Sequence, residues 1–524
     1  MNPTPEARVW GPPDRPVDLV VRNVSTRYVA VFIDGVSGLL LLPFNVEHLG
    51  AAAYGLWMLT VSVTWFFNVL DLGYGGAVVK FVAQYRAWRD RAALNEILST
   101  IGLVFTGVGI ACLLVTGILA WRVDDLFNIE PEQASTARHL LLIVGSYLSI
   151  RFAFAIFGSV VYGFQRYYLN NAVSIGTSLV VAAVNVGVLT AGYGVVGLVA
   201  STTAVRLLSL VLLTWNAYRV YPGLQVRPSF FRRARLREVT GFSVYMLVLD
   251  WSAKLNHSSD TLVIGAILDT TAVAVWVVGQ RIAQFTQSLT NQLNDALFPA
   301  VVDSDAARRQ DRLQLILVHG TKLSLAIGAP LVVGLVMLAD PLILAWVGPD
   351  FSGSILPTQI LLIVVLVRVS TASANLILKG AGQHKLLAYT NASTAVVNIA
   401  LSVALIGPLG LPGVALGTLI PIAVSTLFIL YPAACRRVGM SIGRPLVQAI
   451  WPAMWPAAVM VGFLWLARSL PPAGLFSVAL HFAAGGIVYL GLFAGLAIGG
   501  EERRFYWTKL RSMVARPKHA SVVG

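Results

Sequence analysis

The sequence has little charge and almost no cysteine, and its match to G-x-G-x-x-G at 192–197 lies in a turn between two predicted membrane helices, where it does not indicate a nucleotide site. Charged residues make up 12% of the 524 residues, about half the usual share in soluble proteins. The two cysteines, Cys112 and Cys435, are too few and too far apart for a disulfide framework. No P-loop motif and no His/Cys/Asp/Glu cluster with metal-ligand spacing is present, so we expect no catalytic residue, no metal and no bound cofactor. These absences exclude a soluble enzyme, a disulfide-stapled secreted domain and a P-loop ATPase.

What the sequence has instead is long apolar stretches. Hydrophobic residues make up 57% of the chain, and its mean hydropathy is +0.75. A helix needs about 20 largely apolar residues to cross a bilayer. About fourteen stretches meet that need, which predicts an all-α polytopic membrane protein; they lie at residues 24–44, 51–75, 96–121, 139–163, 171–191, 194–218, 240–268, 272–299, 314–346, 355–379, 386–407, 411–433, 446–469 and 475–499. The ninth is overlong, and Asp340-Pro341 predicts a break in it.

The basic surplus follows the order of these spans. There are 38 Lys and Arg against 24 Asp and Glu, a net charge of +14. The basic residues collect before the first span and after the even-numbered ones, as the positive-inside rule requires of cytoplasmic segments. We therefore expect both termini in the cytoplasm, an uncleaved first helix, membrane lipids as partners, and no nucleic acid. Phe230 and Phe231 beside Arg232 and Arg233 predict that the 219–239 loop lies on the membrane surface.

The chain also contains an internal repeat of about 219 residues. Leu49–Trp57 resembles Leu268–Trp276, and Arg151 corresponds to Arg368. Six spans separate the two copies, so both have the same orientation, which is a plan of transporters. The repeat predicts two pseudo-symmetric six-helix lobes and two further C-terminal helices. The expected parts are a cytoplasmic tail (1–23), an N-lobe of helices 1–6 (24–218), a basic cytoplasmic loop (219–239), a C-lobe of helices 7–12 (240–435), helices 13–14 (436–499) and a basic cytoplasmic tail (500–524).

Several polar residues lie at membrane depth, where each ionisable side chain costs at least about 2.5 kcal/mol. Span 7 carries Asp250, Lys254, His257 and Asp260, and these fit either a neutralised structural cluster or a cavity-facing, protonatable one. Span 8 carries a polar stripe at helical spacing, formed by Gln280, Gln284, Gln287, Asn291 and Asn294. Such a stripe faces a partner helix or a water-filled lumen, and we favour the lumen. Asp34 and Asp71 are further candidates for ion coupling, with H⁺ and Na⁺ both open.

The intramembrane cations indicate the charge of the substrate. Arg151, Arg368, Lys254 and Arg281 could together line a cationic cavity. Guanidinium groups match phosphate oxygens well, so the substrate is expected to be anionic.

The first two spans carry recognisable motifs. Tyr54-Gly55-Leu56-Trp57, Leu70-Asp71-Leu72-Gly73 and the segment Val79–Arg86 resemble the N-terminal signature of polysaccharide repeat-unit (O-antigen, Wzx-type) flippases. These belong to the multidrug/oligosaccharidyl-lipid/polysaccharide (MOP) exporter superfamily. The second half is similar at Gln280-Arg281 and Leu297-Phe298-Pro299, and the likeness covers about residues 20–435.

The resemblance implies a MATE-like pair of lobes that works by alternating access, with Arg281 as a cavity cation. It also implies a lipid-linked substrate, an oligosaccharide on undecaprenyl diphosphate, flipped across the bacterial inner membrane for O-antigen, capsule or exopolysaccharide synthesis. The polysaccharide polymerase and chain-length machinery would be partners. The alternatives are a lipid II flippase, a multidrug exporter, and a membrane polymerase or ligase. Lipid II flippases typically carry an Arg-Asp pair on span 1, whereas here Asp34 stands without that arginine. A polymerase or ligase would need a large outer loop, so we expect a transporter and not an enzyme.

Overall fold

The computed structural model describes residues 16–65, 67, 74–240, 259–467, 474–499 and 503, and across these ranges the chain forms helices and no strand. The all-α fold expected from the sequence is therefore confirmed. The longer helices are α1 Pro16–Leu49, α2 Ala51–Trp65, α3 Tyr74–Trp88, α4 Arg91–Trp121, α5 Pro131–Gly163, α6 Tyr167–Thr190, α7 Gly194–Val220, α8 Thr270–Ala306, α9 Gln310–Met337, α10 Ala339–Val347, α11 Ile355–Ser370, α12 Ala372–Gly380, α13 His384–Leu409, α14 Leu411–Val424, α15 Tyr431–Arg437, α16 Trp451–Leu466 and α17 Gly474–Leu492.

Membrane-spanning helices dominate the described residues. Eleven helices there are long and apolar enough to cross a bilayer. The other three expected spans each have a reason to be missing from that set. Helix α2 is apolar but short, and α8 carries the polar stripe. Most of span 7, residues 241–258, lies outside the described residues. The structure is thus consistent with about fourteen spans in a multi-pass membrane protein.

The chain divides into two compact units. Unit 1 comprises Met1–Arg281 and Ala388–Pro421, and unit 2 comprises Ile282–Leu387 and Ile422–Gly524. This division by compactness differs from the repeat-based lobes at 24–218 and 240–435, because residues of α13 and α14 join unit 1. The two pseudo-symmetric six-helix lobes therefore stay a prediction, and their bounds do not coincide with those of the two compact units.

Backbone turns support the internal repeat. Left-handed residues end helices at Arg89 and Gln165 in the first copy, with φ of +57° and +60°. In the second copy, Arg308 lies 219 residues after Arg89 and has φ of +53°, and Gly382 lies 217 residues after Gln165 and has φ of +73°. Side chains other than glycine rarely adopt this conformation, so its recurrence at equivalent positions favours a shared backbone plan.

The predicted break in the ninth span is confirmed. Helix α9 ends at Met337, Leu338 separates the two helices, and α10 begins at Ala339. Pro341 therefore lies in the first turn of α10, where a helix has no partner for the backbone N–H that proline lacks.

Helix α3 is an element that the apolar spans did not reveal. Its inward side chains Val78, Phe81, Val82 and Tyr85 are almost fully buried in the core of unit 1. Arg89 then ends the helix, and the Asp90 side chain accepts a hydrogen bond from the Ala93 N–H at 2.9 Å, which caps α4. Lys80 and Arg86, which follow span 2, therefore belong to a folded helix and not to a loop.

The 221–240 segment packs onto the end of α4, and the expectation that the 219–239 loop lies on the membrane surface stays a prediction. Asn95 donates to the Gly223 carbonyl at 3.0 Å and accepts from the Gln225 N–H at 3.1 Å. The Thr100 hydroxyl accepts from the Arg232 N–H at 3.0 Å. Side chains at one end of α4 thus satisfy backbone groups of this segment ahead of residues 233–240, which are helical.

A charged network completes this attachment. The Arg235 guanidinium contacts Glu96 at 3.2 Å and Glu238 at 3.2 Å, and it donates to the Tyr85 hydroxyl at 2.8 Å. The Tyr85 hydroxyl donates to Glu238 at 2.8 Å. Burial, together with this bond to Glu238, raises the pKa of Tyr85 to about 12.

The two C-terminal helices are an integral part of unit 2. Helix α16 packs along α9, and Met460 and Leu464 share a buried cluster with Ala329 of α9 and Tyr489 of α17. The Tyr489 hydroxyl donates to the Ala453 carbonyl at 3.1 Å. Helices 13 and 14 of the sequence analysis therefore contribute to this core.

Candidate functional site

The structure describes only part of the predicted site. Asp71, Asp250, Lys254 and His257 lie outside the described residues. Asn291 and Asn294 lie within α8, but their side chains are outside the described ones. The roles predicted for these six residues stay predictions.

The described half of the polar stripe lies on the less buried side of α8. Arg281 and Gln284 are exposed, and Gln280 and Gln287 are half-buried. The other side of the helix is buried, with Val278 fully enclosed, Ile282 at 6% exposure and Thr286 at 2%. The helix thus separates an apolar packing face from a face that carries amides and a guanidinium.

Arg281 lies against helix α1 within unit 1. A Cβ built on Gly38 would be 3.9 Å from Arg281 Nη1, so the guanidinium passes close to the backbone of α1. Asp34 is one turn earlier in α1, is exposed, and accepts a hydrogen bond from the Ser178 hydroxyl at 3.3 Å. Arg281, a predicted cation of the site, thus lies against α1 about one turn after Asp34, a predicted carboxylate of the site.

Arg368 lies in unit 2, in the last turn of α11. Its Nη1 donates to Gln287 Oε1 at 3.1 Å, which joins a predicted cation to a member of the polar stripe. An amide oxygen orients a guanidinium without carrying a charge of its own. Helix α11 ends at Ser370 and α12 begins at Ala372, so Arg368 is next to a helix interruption, at the end of a candidate membrane span.

The repeat-related arginines have different surroundings. Arg151 is exposed on α5 between buried Leu148 and Phe152, whereas Arg368 is half-buried and bonded to Gln287. Their equivalence in sequence therefore does not extend to equivalent environments.

Asp260 is the centre of a buried polar cluster in unit 1. Its Oδ2 accepts a hydrogen bond from the Thr418 hydroxyl of α14 at 2.9 Å. Asn398 of α13 donates to Thr418 Oγ1 at 2.9 Å and accepts from the Ser259 hydroxyl at 3.4 Å. All four side chains are at most 6% exposed. Burying a carboxylate is costly even among hydroxyl and amide groups, so Asp260 stays a candidate for ion coupling.

The oxygen atoms around Asp260 are of the kind that bind hard cations. Ser402 of α13 is fully buried, and its hydroxyl donates to the Val414 carbonyl at 3.4 Å. The Thr418 hydroxyl donates to the same carbonyl at 3.2 Å. Carboxylate, hydroxyl and carbonyl oxygens suit a hard cation, and the carboxylate alone could hold a proton. Among the residues searched, no group of three or more His, Cys, Asp or Glu side chains could hold a metal ion.

Sequence reasoning found Asp260 but missed its partners. Ser259, Asn398 and Thr418 are uncharged and lie in apolar helices, where such residues often only bond their own helix. Asn398 and Ser402 lie four residues apart, on one face of α13. That pairing was the available signal, but nothing in the sequence placed it next to Asp260.

These features together describe a polytopic all-α membrane protein with cations and a buried carboxylate on its membrane helices, the class to which transporters belong. The chain belongs to the family described as polysaccharide biosynthesis protein, whose model matches residues 49–356. This confirms the resemblance drawn from the sequence.

Two curated relatives align over most of their length. One is an uncharacterized membrane protein, EpsK, of Bacillus subtilis, 24% identical over 75% of this chain and 79% of the relative. The other is the probable flippase AglR of Haloferax volcanii, 22% identical over 89% of this chain and 94% of the relative.

Solved structures share the fold. The lipid II flippase MurJ, in an inward closed conformation, matches with a TM-score of 0.71 at 15% identity, over 94% of this chain and all of that chain. An inward-facing multidrug resistance MATE family transporter of the MOP superfamily matches with a TM-score of 0.62 at 15% identity, over 80% of this chain and 98% of that chain. These likenesses confirm the MATE/MOP-like fold class.

Proposed function

We propose that the protein is a flippase that moves oligosaccharide units linked to undecaprenyl diphosphate across the inner membrane for surface polysaccharide synthesis. The family match over residues 49–356 supports a place in polysaccharide biosynthesis. The relative AglR, aligned over most of its length, is named a probable flippase. The proposal includes alternating access, cytoplasmic termini, and the polymerase and chain-length machinery as partners.

The observation that carries this proposal is the guanidinium of Arg368 at membrane depth. Arg368 is half-buried and is oriented by Gln287, so its direction is fixed before a ligand arrives. Arginine stays protonated at any physiological pH and can form paired hydrogen bonds with phosphate oxygens. A preset cation of this kind suits a diphosphate group better than the cationic cargo of many drug exporters.

Arg281 is proposed as the second cation for the diphosphate. It is exposed on the polar side of α8, and its guanidinium lies near the backbone of Gly38, which has no side chain. Gln280 and Gln284 on the same helix would then hydrogen-bond sugar hydroxyl groups, and Arg151 and Lys254 would add to the positive potential. We propose that these cations and amides bind a substrate that is transported and not cleaved.

The experiment is a depletion strain that carries plasmid copies of the gene. Depletion is expected to accumulate undecaprenyl-linked repeat units on the inner leaflet. Arg281→Ala and Arg368→Ala should reduce surface polysaccharide at least tenfold at unchanged protein levels. Arg206→Ala is the matched control, because Arg206 is an exposed arginine of α7 outside the proposed site. Normal polysaccharide in both variants would overturn the assignment of the cations. Accumulated lipid II would favour the lipid II flippase instead.

We further propose that ion coupling uses Asp260. The carboxylate is buried with Asn398, Thr418 and Ser259, an oxygen-rich set that could take up Na⁺ or a proton. Because a buried carboxylate is much less costly when neutralised, ion occupancy would change the energy of this helix cluster. Asp34, which bonds Ser178, would be a weaker second site.

A further inference from the structure

Unit 2 contains a cavity that the proposed transport site does not use. Its volume is about 570 Å³, and it lies between the first turns of α9 and the 440–452 segment that leads into α16. The polar side chains that line it are Asp311, Gln314, His319, Lys322, Arg444 and Gln448. It is at the end of the unit where the basic segments around Arg309 and Arg436 lie.

One helix face supplies most of the lining. Asp311, Gln314, His319 and Lys322 recur at three- to five-residue intervals and follow one side of α9. Lys322 is eleven residues beyond Asp311, about 16 Å along the helix axis. Lys322 is only 6% exposed, whereas Asp311 is exposed. The cavity therefore has an acidic, open end and a buried cationic end.

Arg444 is held across the other side by neutral groups. Its Nε donates to Gln448 Oε1 at 3.3 Å, and its Nη1 approaches Gln314 Oε1 at 3.5 Å. Gln314 is fixed in turn, because its amide donates to the Val438 carbonyl at 2.8 Å. Side-chain amides orient the Arg444 guanidinium, as Gln287 orients that of Arg368. An oriented, planar guanidinium is well matched to phosphate oxygens.

A proline shapes the Gln448 side of the cavity. Pro452 has no backbone N–H, and inside a continuous helix its ring would press on the Gln448 carbonyl four residues earlier. The chain relieves this by widening to a π-helical turn at Leu446–Ile450 before α16 begins. Such turns are frequent at functional sites, and this one carries Gln448.

The surroundings of the cavity favour a lipid over a free anion. Leu315, which lines it, is 57% exposed, and Val447 and Trp451, which precede the lining residues Gln448 and Pro452, are each 66% exposed. These apolar side chains belong to membrane-spanning helices, and tryptophan is enriched at the headgroup level. Inorganic phosphate has no apolar part to contact these side chains, whereas a phospholipid would pack its acyl chains against them.

We infer that this cavity binds the phosphate headgroup of an anionic phospholipid, with Lys322 and Arg444 as its cations and the acyl chains on Leu315, Val447 and Trp451. The lipid would fill the space between α9 and α16 and stabilise the attachment of the C-terminal helices. This inference does not rest on the proposed transport function.

The test uses the full-length protein purified in detergent and stripped of lipid. Thermal unfolding is followed while phosphatidylglycerol, phosphatidylcholine or inorganic phosphate is added at equal concentrations. We expect phosphatidylglycerol to raise the Tm of the wild-type protein by several degrees and the other two to leave it nearly unchanged. Arg444→Gln and Lys322→Met should each lose most of that rise.

Arg312→Gln is the matched control, because Arg312 is an exposed arginine of α9 that does not line the cavity. It should retain the full response to phosphatidylglycerol. Arg444 is exposed, so its variant remains informative if Lys322→Met fails to fold. An unchanged rise in Arg444→Gln would overturn the inference. So would an equal rise with inorganic phosphate, which would indicate a free-anion site, or with phosphatidylcholine.

Discussion

The backbone of Gly55 is packed directly against the carbonyl of Thr270. A Cβ built on Gly55 would lie 1.7 Å from Thr270 O and 2.7 Å from its carbonyl carbon. Both residues belong to unit 1, and Thr270 is the first residue of α8. The glycine of the Tyr54-Gly55-Leu56-Trp57 motif is therefore required by a close contact between two backbones.

Gly55→Ala is expected to destabilise the protein strongly. The added methyl meets backbone atoms that cannot rotate away, so we expect a loss of about 3 kcal/mol or more, beyond the usual cost of overpacking. Protein abundance in the membrane and Tm in detergent measure it. Gly107→Ala and Gly117→Ala are matched controls on α4, where a Cβ would meet nothing within 4 Å. Equal Tm values for all three variants would contradict the contact.

Arg368→Lys tests whether transport needs an oriented guanidinium at this position or only a positive charge. Lysine keeps the positive charge but loses the planar group that Gln287 positions. We expect transport to fall roughly tenfold, equivalent to about 1.4 kcal/mol, with normal protein levels. The readout is the rate of flipping of a labelled lipid-linked oligosaccharide in proteoliposomes. Arg206→Lys should leave that rate unchanged, and full activity of Arg368→Lys would reduce the role of Arg368 to simple charge.

Asp260→Asn tests the ion-coupling proposal. The amide keeps the size of the side chain and can still accept from Thr418, but it can neither bind a proton nor offset a cation. We expect transport to lose its response to an imposed Na⁺ or pH gradient, and the gradient that drives the wild-type protein identifies the ion. Asp303→Asn, at an exposed carboxylate of α8, is the control. A full gradient response in Asp260→Asn would exclude this residue from coupling.

The Tyr85 network gives a pH-dependent prediction. The pKa of Tyr85 is raised from 10 in the unfolded chain to about 12 by burial and by its bond to Glu238. Its contribution to stability is therefore fully present below pH 10 and is lost as the pH rises toward 12, because only the unfolded state then releases the proton. Tm measured between pH 8 and pH 12 should fall less steeply for Tyr85→Phe than for the wild-type protein. Tyr193→Phe, at a tyrosine that is 72% exposed, should follow the wild-type curve.

Local hydropathy was enough to predict the membrane helices, and matched residues about 219 positions apart predicted the repeat. Asp340-Pro341 predicted the interruption that the structure has at Leu338. Helix α3 was missed because Lys80 and Arg86 make it too polar for a span, although Phe81 and Val82 are buried. An amphipathic helix at the end of a bundle gives no long apolar signal.

The candidate site was predicted less completely because its contacts are long-range. Thr418 is 158 residues from Asp260, and Asn398 is 139 residues from Ser259. Helix periodicity describes which residues share a face but not which helices become neighbours. The same limit explains why Arg151 and Arg368, equivalent in the repeat, have different environments.

The attachment of Arg235 to Glu96 joins a basic residue that follows the sixth span to the beginning of α4. The pair joins residues 139 positions apart, with helices α4 to α7 between them. In the topology that we propose, Arg235 is one of the cytoplasmic charges that orient the nascent chain during insertion. Once α7 has been released and the segment folds back, the same guanidinium becomes part of an internal junction. Swapping Arg235 and Glu96 would thus preserve the mature ion pair while disturbing the order in which the membrane machinery meets the charges.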